Sequence, residues 1–166
     1  MALTQTEFNR LVDEYGPTLY RIAYRMVGDS HAAEDIVQET FRSAWRARQR
    51  YEPGRGARAW LATILRRRVV DLWRRKKPVE TVGGHAVYHI TVNDPEPLAD
   101  ELSSQLQEGL EKLPKPLRET LLLVVVGELT HQEVADILGV PIGTVLSRVS
   151  RARTRLRQHM IELANT

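Results

Sequence analysis

The sequence contains no cysteine among its 166 residues. Disulfide bonds, cysteine-based zinc sites and thiol catalysis are therefore excluded, which suits a reducing compartment. Long hydrophobic runs are also missing: the longest, residues 121–126, is far too short to cross a bilayer, and the first residues lack the basic and apolar parts of a secretion signal. We therefore expect a cytoplasmic protein without membrane insertion.

The sequence also lacks the common enzyme motifs. It has no nucleophile elbow, no phosphate-cradling glycine loop and no zinc-protease motif. His85 and His89 stand four residues apart, but without cysteine or a convergent carboxylate a solvated pair in a linker explains them better than a metal site. We expect no enzymatic activity, no metal, no cofactor and no small-molecule substrate.

Positive charge is concentrated in two short stretches of the chain. The net charge is only +3, yet twelve of the 24 lysines and arginines lie in residues 66–77 and 148–157. Residues 80–111 contain seven carboxylates and neither lysine nor arginine. A chain that is basic, then acidic, then basic again predicts two nucleic-acid contacts separated by a spacer.

Apolar positions at helical spacing predict three helices in the first part of the chain. The first spans residues 6–27 and is expected to kink or split at Pro17. The second begins at a cap formed by Ser30. The third spans residues 58–76, and residues 49–56 before it read as a loop rich in turn-forming residues.

The fold expected from these patterns is all-α, with two small helical domains joined by a flexible linker. The three helices form the first domain, residues 1–77. Residues 78–97 are rich in glycine and proline and hold one strand-like stretch without a partner strand, which favours the linker. The second domain, residues 98–166, begins with leucines at intervals of four and is interrupted by prolines near residue 115.

Residues 130–157 carry two helix signals separated by a three-residue turn. Thr130 and Glu133 have the spacing of a capping box, Gly139 can close the first helix in the left-handed conformation, and Pro141 can open the second. The second helix has an apolar face, an opposite face of small and hydroxyl residues, and an arginine-rich flank. This pattern is typical of insertion into a major groove, although a solvated arginine-rich helix on a bundle is the alternative.

Several separate stretches resemble one family, the group IV or extracytoplasmic-function sigma factors of bacterial RNA polymerase. Region 2 of the family is similar to HAAEDIVQETFRSAW and ARAWLATILRRRVVDLWRRKK, and region 4 is similar to LPKPLRETLLLVVVGELTHQEVADILGVPIGTVLSRVSRAR. The resemblance implies a transcription initiation factor that binds core RNA polymerase, recognises the minus-10 and minus-35 elements of promoter DNA and helps to melt it. Catalysis then belongs to the polymerase.

The resemblance also implies an anti-sigma protein as a partner, because members of the family are usually held inactive by one. The alternative function is a polymerase-independent helix-turn-helix regulator that binds a palindromic operator as a dimer.

For polymerase binding, the resemblance points to the exposed face of the second helix, at Asp35, Gln38, Glu39 and Arg42. Taken alone, these residues are typical of a solvated helix face. The adjoining Phe41 and Trp45 favour docking, because a polar rim around aromatic anchors suits an interface.

For the minus-10 element, the resemblance points to the loop and third helix, which would melt DNA and hold an extruded base in a pocket lined by cations. The matching residues are Arg50, Arg55, Arg58, Thr63, Arg66, Arg67 and Arg74. Arg67 stands where family members often have asparagine, and it would either read a guanine edge or hold a phosphate. Trp60 and Trp73 are better explained as core residues than as base-stacking residues.

For the minus-35 element, the resemblance points to the second helix of the hairpin. The matching readers are Leu146, Ser147, Ser150 and Arg151, with Thr144 and Arg148 near the DNA backbone and Gly143 allowing close approach to phosphate. Leu146 replaces a common arginine or lysine, and Ser150 a common aromatic residue or histidine. A leucine there can meet only a thymine methyl or base-edge hydrocarbon.

Overall fold

The computed structural model describes residues 2–75 and 97–166. Within these two ranges the chain forms seven α-helices and two short 3-10 turns, without any strand. The chain divides into two compact units, Met1–Tyr88 and His89–Thr166. The prediction of an all-α fold in two helical parts is therefore confirmed. None of the described helices combines the length and apolar character that a bilayer span requires.

Three sequence predictions concern residues 76–96, which lie outside the described ranges. They are the flexible linker, the unpaired strand-like stretch within it, and the solvated pair His85 and His89. All three stay predictions, as do the domain limits at residues 77 and 98.

The first unit contains α1 (Gln5–Val27), α2 (Ser30–Arg46) and α3 (Ala57–Arg75), with 3-10 turns at Arg48–Arg50 and Pro53–Arg55 between α2 and α3. Each helix packs against the other two. Their shared core contains apolar side chains with almost no exposed surface, among them Ile22, Met26, Ala33, Ala44, Leu61, Leu65 and Val69. Burial of these side chains is the main stabilising contribution, at about 25 cal/mol per Å² of apolar surface.

α1 is a single helix that passes through Pro17, so the predicted split does not occur. A proline inside a helix removes one backbone hydrogen bond and costs about 3 kcal/mol. Phe8 before it and Leu19, Ile22 and Met26 after it are all buried. Packing on both sides of the proline therefore keeps the helix together.

The cap of α2 is Asp29 and not Ser30, which is a correction of one residue. The Asp29 Oδ1 atom accepts a hydrogen bond of 3.1 Å from the Ala32 amide, and Asp29 has extended backbone angles. Ser30 is the first helical residue and is 6% exposed. Either residue type suits a cap, and the tertiary structure decides between them because Ser30 is buried against the unit.

The second unit contains α4 (Pro97–Lys112), α5 (Lys115–Val125), α6 (His131–Leu138) and α7 (Ile142–Ala164). Its core is formed by apolar side chains of α5, α6 and α7, among them Leu121, Leu123, Val134, Val145 and Ala152. This burial places α6 and the first half of α7 on α5 in a helix-turn-helix arrangement.

The predicted hairpin is confirmed in its local details. The Thr130 hydroxyl accepts from the Glu133 amide at 3.1 Å, and the Glu133 carboxylate accepts from the Thr130 amide at 3.0 Å. Gly139 has the left-handed φ of 66° that ends α6. Pro141 caps α7 and does not form its first turn, a shift of one residue from the prediction.

Arg118 is a structural residue that sequence reasoning did not identify. Its side chain is buried on α5, and it donates to three backbone carbonyls at the end of α4: Nε to Leu110 at 2.7 Å, and Nη2 to Glu111 at 2.8 Å and to Leu113 at 3.3 Å. α4 ends here, where regular helical hydrogen bonding runs out, and the Leu110 carbonyl also accepts from the Leu113 amide at 3.1 Å. Burial lowers the pKa of Arg118, but an arginine stays charged at neutral pH.

Candidate nucleic-acid and protein interfaces

A groove of about 460 Å³ lies between α2 and α3 in the first unit. The four residues predicted to bind polymerase all line its α2 side: Asp35, Gln38, Glu39 and Arg42. Asp35 and Gln38 are exposed, while Glu39 is half-buried. The Glu39 carboxylate forms two ion pairs, from Oε2 to Arg42 Nη1 at 3.6 Å and from Oε1 to Arg46 Nη1 at 3.7 Å. Exposed ion pairs of this kind contribute little free energy, so a partner that enters the groove can replace them at little cost.

The α3 side of this groove was not foreseen from the sequence. It is lined by Arg68, Asp71 and Arg75. Arg68 donates to the Ser43 hydroxyl on α2 at 2.7 Å and lies 3.9 Å from Asp71, which fixes its guanidinium across the two helices. Spacings of three and four residues place these three side chains on one face of α3, but the sequence alone does not show that this face adjoins α2.

Phe41 and Trp45 do not line the α2–α3 groove. Both rings pack on Phe8 of α1, with centroid distances of 6.2 Å and 5.1 Å. The expected aromatic anchors therefore support the helix from its other side. The groove offers polar and charged groups, together with the hydrocarbon of Ile36 and Leu72.

The turn between α2 and α3 carries the first predicted minus-10 residues. Arg50 and Arg55 are exposed on its two 3-10 turns, and Arg55 pairs with Glu52 at 3.0 Å. The turn is held by rings: Tyr51 packs on Trp60 with centroids 4.9 Å apart, and Arg48 lies 4.0 Å from the Trp45 ring centroid. Trp60 is therefore not a fully buried core residue, and its ring is not free to stack on a base, because it packs against the turn.

The solvent face of α3 is strongly cationic. At 100° per residue, Thr63, Arg66, Arg67 and Arg74 share one sector of the helix, away from the α2–α3 groove. Arg67 and Arg74 are exposed, and the Thr63 hydroxyl donates to the Ala59 carbonyl at 2.8 Å, which leaves its lone pairs to accept from a ligand. Arg58 lies apart from this sector, 5.7 Å from the ring centroid of Tyr15.

The predicted minus-35 residues all lie on the solvent side of α7. Gly143, Leu146, Ser150 and Arg151 are exposed, whereas Thr144, Ser147 and Arg148 are half-buried. The opposite face, with Val145, Val149 and Ala152, is buried in the core. Small side chains at the centre of the exposed face allow the helix to approach the floor of a major groove closely.

A second flank of α7 carries residues that sequence reasoning missed. Here α6 and α7 form a groove of about 410 Å³, which we call the Leu146 groove; it is lined by His131, Leu146, Val149, Ser150, Arg153, Thr154 and Arg157. Arg153 and Arg157 belong to the basic stretch noted in the sequence. Helical spacing places them on the same flank of α7 as Leu146, but only the packing of α6 against α7 shows that His131 closes this flank into a groove.

Two family models match the chain. The model described as Sigma-70 region 2 matches residues 11–79, and the model described as Sigma-70, region 4 matches residues 103–156. The chain belongs to the sigma-70 family. The first match includes α2, α3 and the α2–α3 groove, and the second includes the helix-turn-helix and all residues of the Leu146 groove except Arg157.

Similar proteins place the chain in the extracytoplasmic-function group of that family. The sigma factor SigW of Bacillus subtilis is 35% identical to it, over 96% of this chain and 91% of SigW. The sigma factor SigE of Mycolicibacterium smegmatis is 34% identical over 92% of this chain and 61% of SigE.

Solved structures agree with this placement. The sigma factor RpoE of Bartonella quintana, in complex with the anti-sigma factor NepR, has a TM-score of 0.77 and 27% identity, covering 93% of this chain and 97% of RpoE. The structure of CnrH in complex with the cytosolic domain of CnrY has a TM-score of 0.73 and 27% identity, covering 96% and 90% of the two chains.

As a member of this family, the chain is a transcription initiation factor that directs RNA polymerase to promoters. Two separate sigma regions in the family's order favour this function over a polymerase-independent operator-binding regulator. Sigma factors are transcription factors, and the chemistry of transcription belongs to the polymerase.

Proposed function

We propose that the first unit binds core RNA polymerase through the α2–α3 groove. Asp35, Gln38, Glu39 and Arg42 line it from α2, and Arg68 and Asp71 continue the polar surface on α3. A charged groove with an apolar strip at its base suits a polymerase helix that carries both charges and aliphatic side chains. The observation that supports this proposal most directly is that all four residues predicted to bind polymerase line one groove, away from the cationic face of α3.

The cationic face of α3 and the turn before it engage the minus-10 element. Thr63, Arg66, Arg67 and Arg74 lie on the face, and Arg50 and Arg55 extend it along the turn. Opening of the duplex costs a few kcal/mol per unstacked base, so the separated strand has to be held by cations and by a fixed turn. Arg58 contributes from the side, where its guanidinium lies near Tyr15.

The solvent face of α7 reads the minus-35 element in the major groove. Leu146, Ser147, Ser150 and Arg151 contact base edges, whereas Thr144 and Arg148 contact the DNA backbone. Gly143 lies in the first turn of α7, where a Cβ atom would meet no protein atom within 4 Å outside the adjoining backbone of α7. The backbone at this position can therefore approach a phosphate closely.

An anti-sigma protein is the expected regulatory partner. The solved structure of RpoE is a complex with the anti-sigma factor NepR, and the structure of CnrH is a complex with the cytosolic domain of CnrY. We place the protein in the cytoplasm, without enzymatic activity of its own and without a small-molecule substrate. We place the domain limits at residues 1–77 and 98–166, with the linker between them.

Two variants test the two assigned surfaces. Binding to core polymerase is measured by co-migration during holoenzyme reconstitution, and binding to promoter DNA is measured with the free chain. Asp35→Arg should weaken co-migration with core polymerase and leave binding of the free chain to promoter DNA unchanged. Arg151→Ala should do the reverse. Asp13→Arg on the exposed face of α1 and Lys112→Ala on α4 are matched controls outside these surfaces and should change neither activity. If both test variants lose both activities, the assignment of the two surfaces is wrong.

A further inference from the structure

Leu146 is an exposed apolar side chain that lies beside polar and cationic residues of α7. It is 50% exposed, and Ile142, one turn before it, is 45% exposed. Surface leucines are common singly. Here, however, Leu146 projects from the helix that approaches DNA and lines a groove with polar side chains, so a partner group that covers it would gain free energy.

The charges of the Leu146 groove favour a polyanion as its occupant. Its lining includes Arg153 and Arg157 on α7 and His131 at the start of α6, and it includes no aspartate or glutamate. At 100° per residue, Arg153 and Arg157 fall on the same flank of α7 as Leu146, while Arg148, Arg151 and Arg155 fall on the opposite flank. A helix in a major groove has one phosphate backbone on each side, so the two flanks face different strands.

The major groove offers one prominent apolar feature, the C5-methyl group of thymine. Gly143, Ser147 and Ser150 keep the centre of the helix face small, so the longer Leu146 side chain projects past them toward the base edges. Arginine or lysine at this place would donate hydrogen bonds to guanine, whereas a leucine has nothing to donate. The Leu146 groove therefore combines an apolar side chain that can contact one base with two arginines that can contact the DNA backbone next to it.

We propose that the Leu146 groove is a composite reading site, in which Leu146 contacts a thymine methyl of the minus-35 element while Arg153 and Arg157 hold phosphates on the same side of the major groove. This inference rests on the proposed minus-35 role of α7 and gives that role a base preference. It adds Arg153 and Arg157 to the residues that contact DNA.

The test begins with promoters selected from a random library by holoenzyme reconstituted with the full chain. Each thymine of the selected minus-35 element is then replaced by deoxyuridine, which removes the methyl group alone. At one position the wild-type holoenzyme should bind about two- to fourfold more weakly, the value expected for one methyl group that leaves water. The Leu146→Ala holoenzyme should bind the two DNAs equally.

Two further variants separate the base contact from the backbone contact. Ile161→Ala removes another exposed apolar side chain of α7, 47% exposed, and should keep the full deoxyuridine effect. Arg153→Ala should also keep it, while binding to all sequences weakens and the salt slope falls by about one unit. Methylphosphonate linkages should reproduce the Arg153→Ala defect on one strand only.

The results that overturn the inference are distinct from failure of the proposed function. A selected element without thymine preference, or an equal deoxyuridine effect in wild type and Leu146→Ala, overturns it while promoter-specific transcription persists. Weaker binding of Leu146→Ala to core polymerase, with DNA binding intact, would identify a protein partner for the groove instead. If the wild-type holoenzyme selects no promoter at all, the proposed minus-35 role itself is wrong.

Discussion

The ring of Tyr51, in the turn after α2, packs on the ring of Trp60 in the first part of α3, with centroids 4.9 Å apart and planes inclined by 49°. The pair ties the turn that carries Arg50 and Arg55 to the helix that carries the cationic face. A loop of short 3-10 turns has few backbone hydrogen bonds of its own, so ring packing determines where its arginines lie.

Trp60→Ala should therefore slow promoter opening by about two- to tenfold, the range expected when one aromatic pair worth about 0.5–1.5 kcal/mol is lost. Opening is measured by 2-aminopurine fluorescence at the minus-10 element. Trp60→Phe preserves ring packing and should retain most of the rate. Core polymerase and minus-35 binding should not change. A purely structural role for Trp60 predicts a loss of all three activities and a lower thermal midpoint.

Arg118→Ala should destabilise the second unit by about 2–4 kcal/mol, because three carbonyls at the end of α4 lose charge-assisted hydrogen bonds in a buried setting. Lysine cannot reproduce the fork of donors, so Arg118→Lys should recover little. Arg155→Ala, at an exposed position of α7, should change the free energy of unfolding by no more than about 0.5 kcal/mol.

The tryptophans make this stability change easy to assign. All three stand in the first unit, at positions 45, 60 and 73. Tryptophan fluorescence during urea unfolding therefore reports the first unit, whereas far-ultraviolet circular dichroism reports both. Arg118→Ala should shift only the transition seen by circular dichroism. A shift of the fluorescence transition would contradict the assignment.

Gly109→Ala should destabilise the second unit, because α4 and α7 approach each other closely at this glycine. An added Cβ would lie 2.7 Å from Leu156 Cδ1 and 2.8 Å from His159 Cδ2. Overpacking of this kind costs about 1–3 kcal/mol, which exceeds the gain of about 1 kcal/mol from better helix propensity. The cost should shrink in a His159→Ala background, as a double-mutant cycle by urea unfolding would measure; an unchanged cost would show that His159 does not share the contact.

Gly143→Ala should have opposite effects on stability and on DNA binding. Outside the adjoining backbone of α7, no protein atom lies within 4 Å of the added Cβ, and a helical alanine is favoured by about 0.5–1 kcal/mol, so the second unit should become more stable. Binding to minus-35 DNA should weaken, because the methyl group would stand where the backbone approaches a phosphate. Urea unfolding and a DNA-binding titration measure the two effects, and unchanged DNA affinity would show that this turn does not approach the backbone.

The sequence by itself determined the features that depend on neighbours within about four residues. Helical periodicity, the Thr130 capping box and the left-handed Gly139 arise from interactions along one stretch of chain, and all three are present in the structure. The motif HAAEDIVQETF and the region 4 pattern are also continuous stretches of chain, so they identified the family without knowledge of the packing.

The tertiary structure decided what depends on how helices pack against one another. It kept α1 whole through Pro17, moved the cap of α2 to Asp29, and placed Phe41 and Trp45 on Phe8 instead of in the α2–α3 groove. It also brought Arg118 to the end of α4 and His131 to the side of Leu146. A helical pattern shows which side chains share a face, but only the burial of apolar faces between helices determines what each face meets.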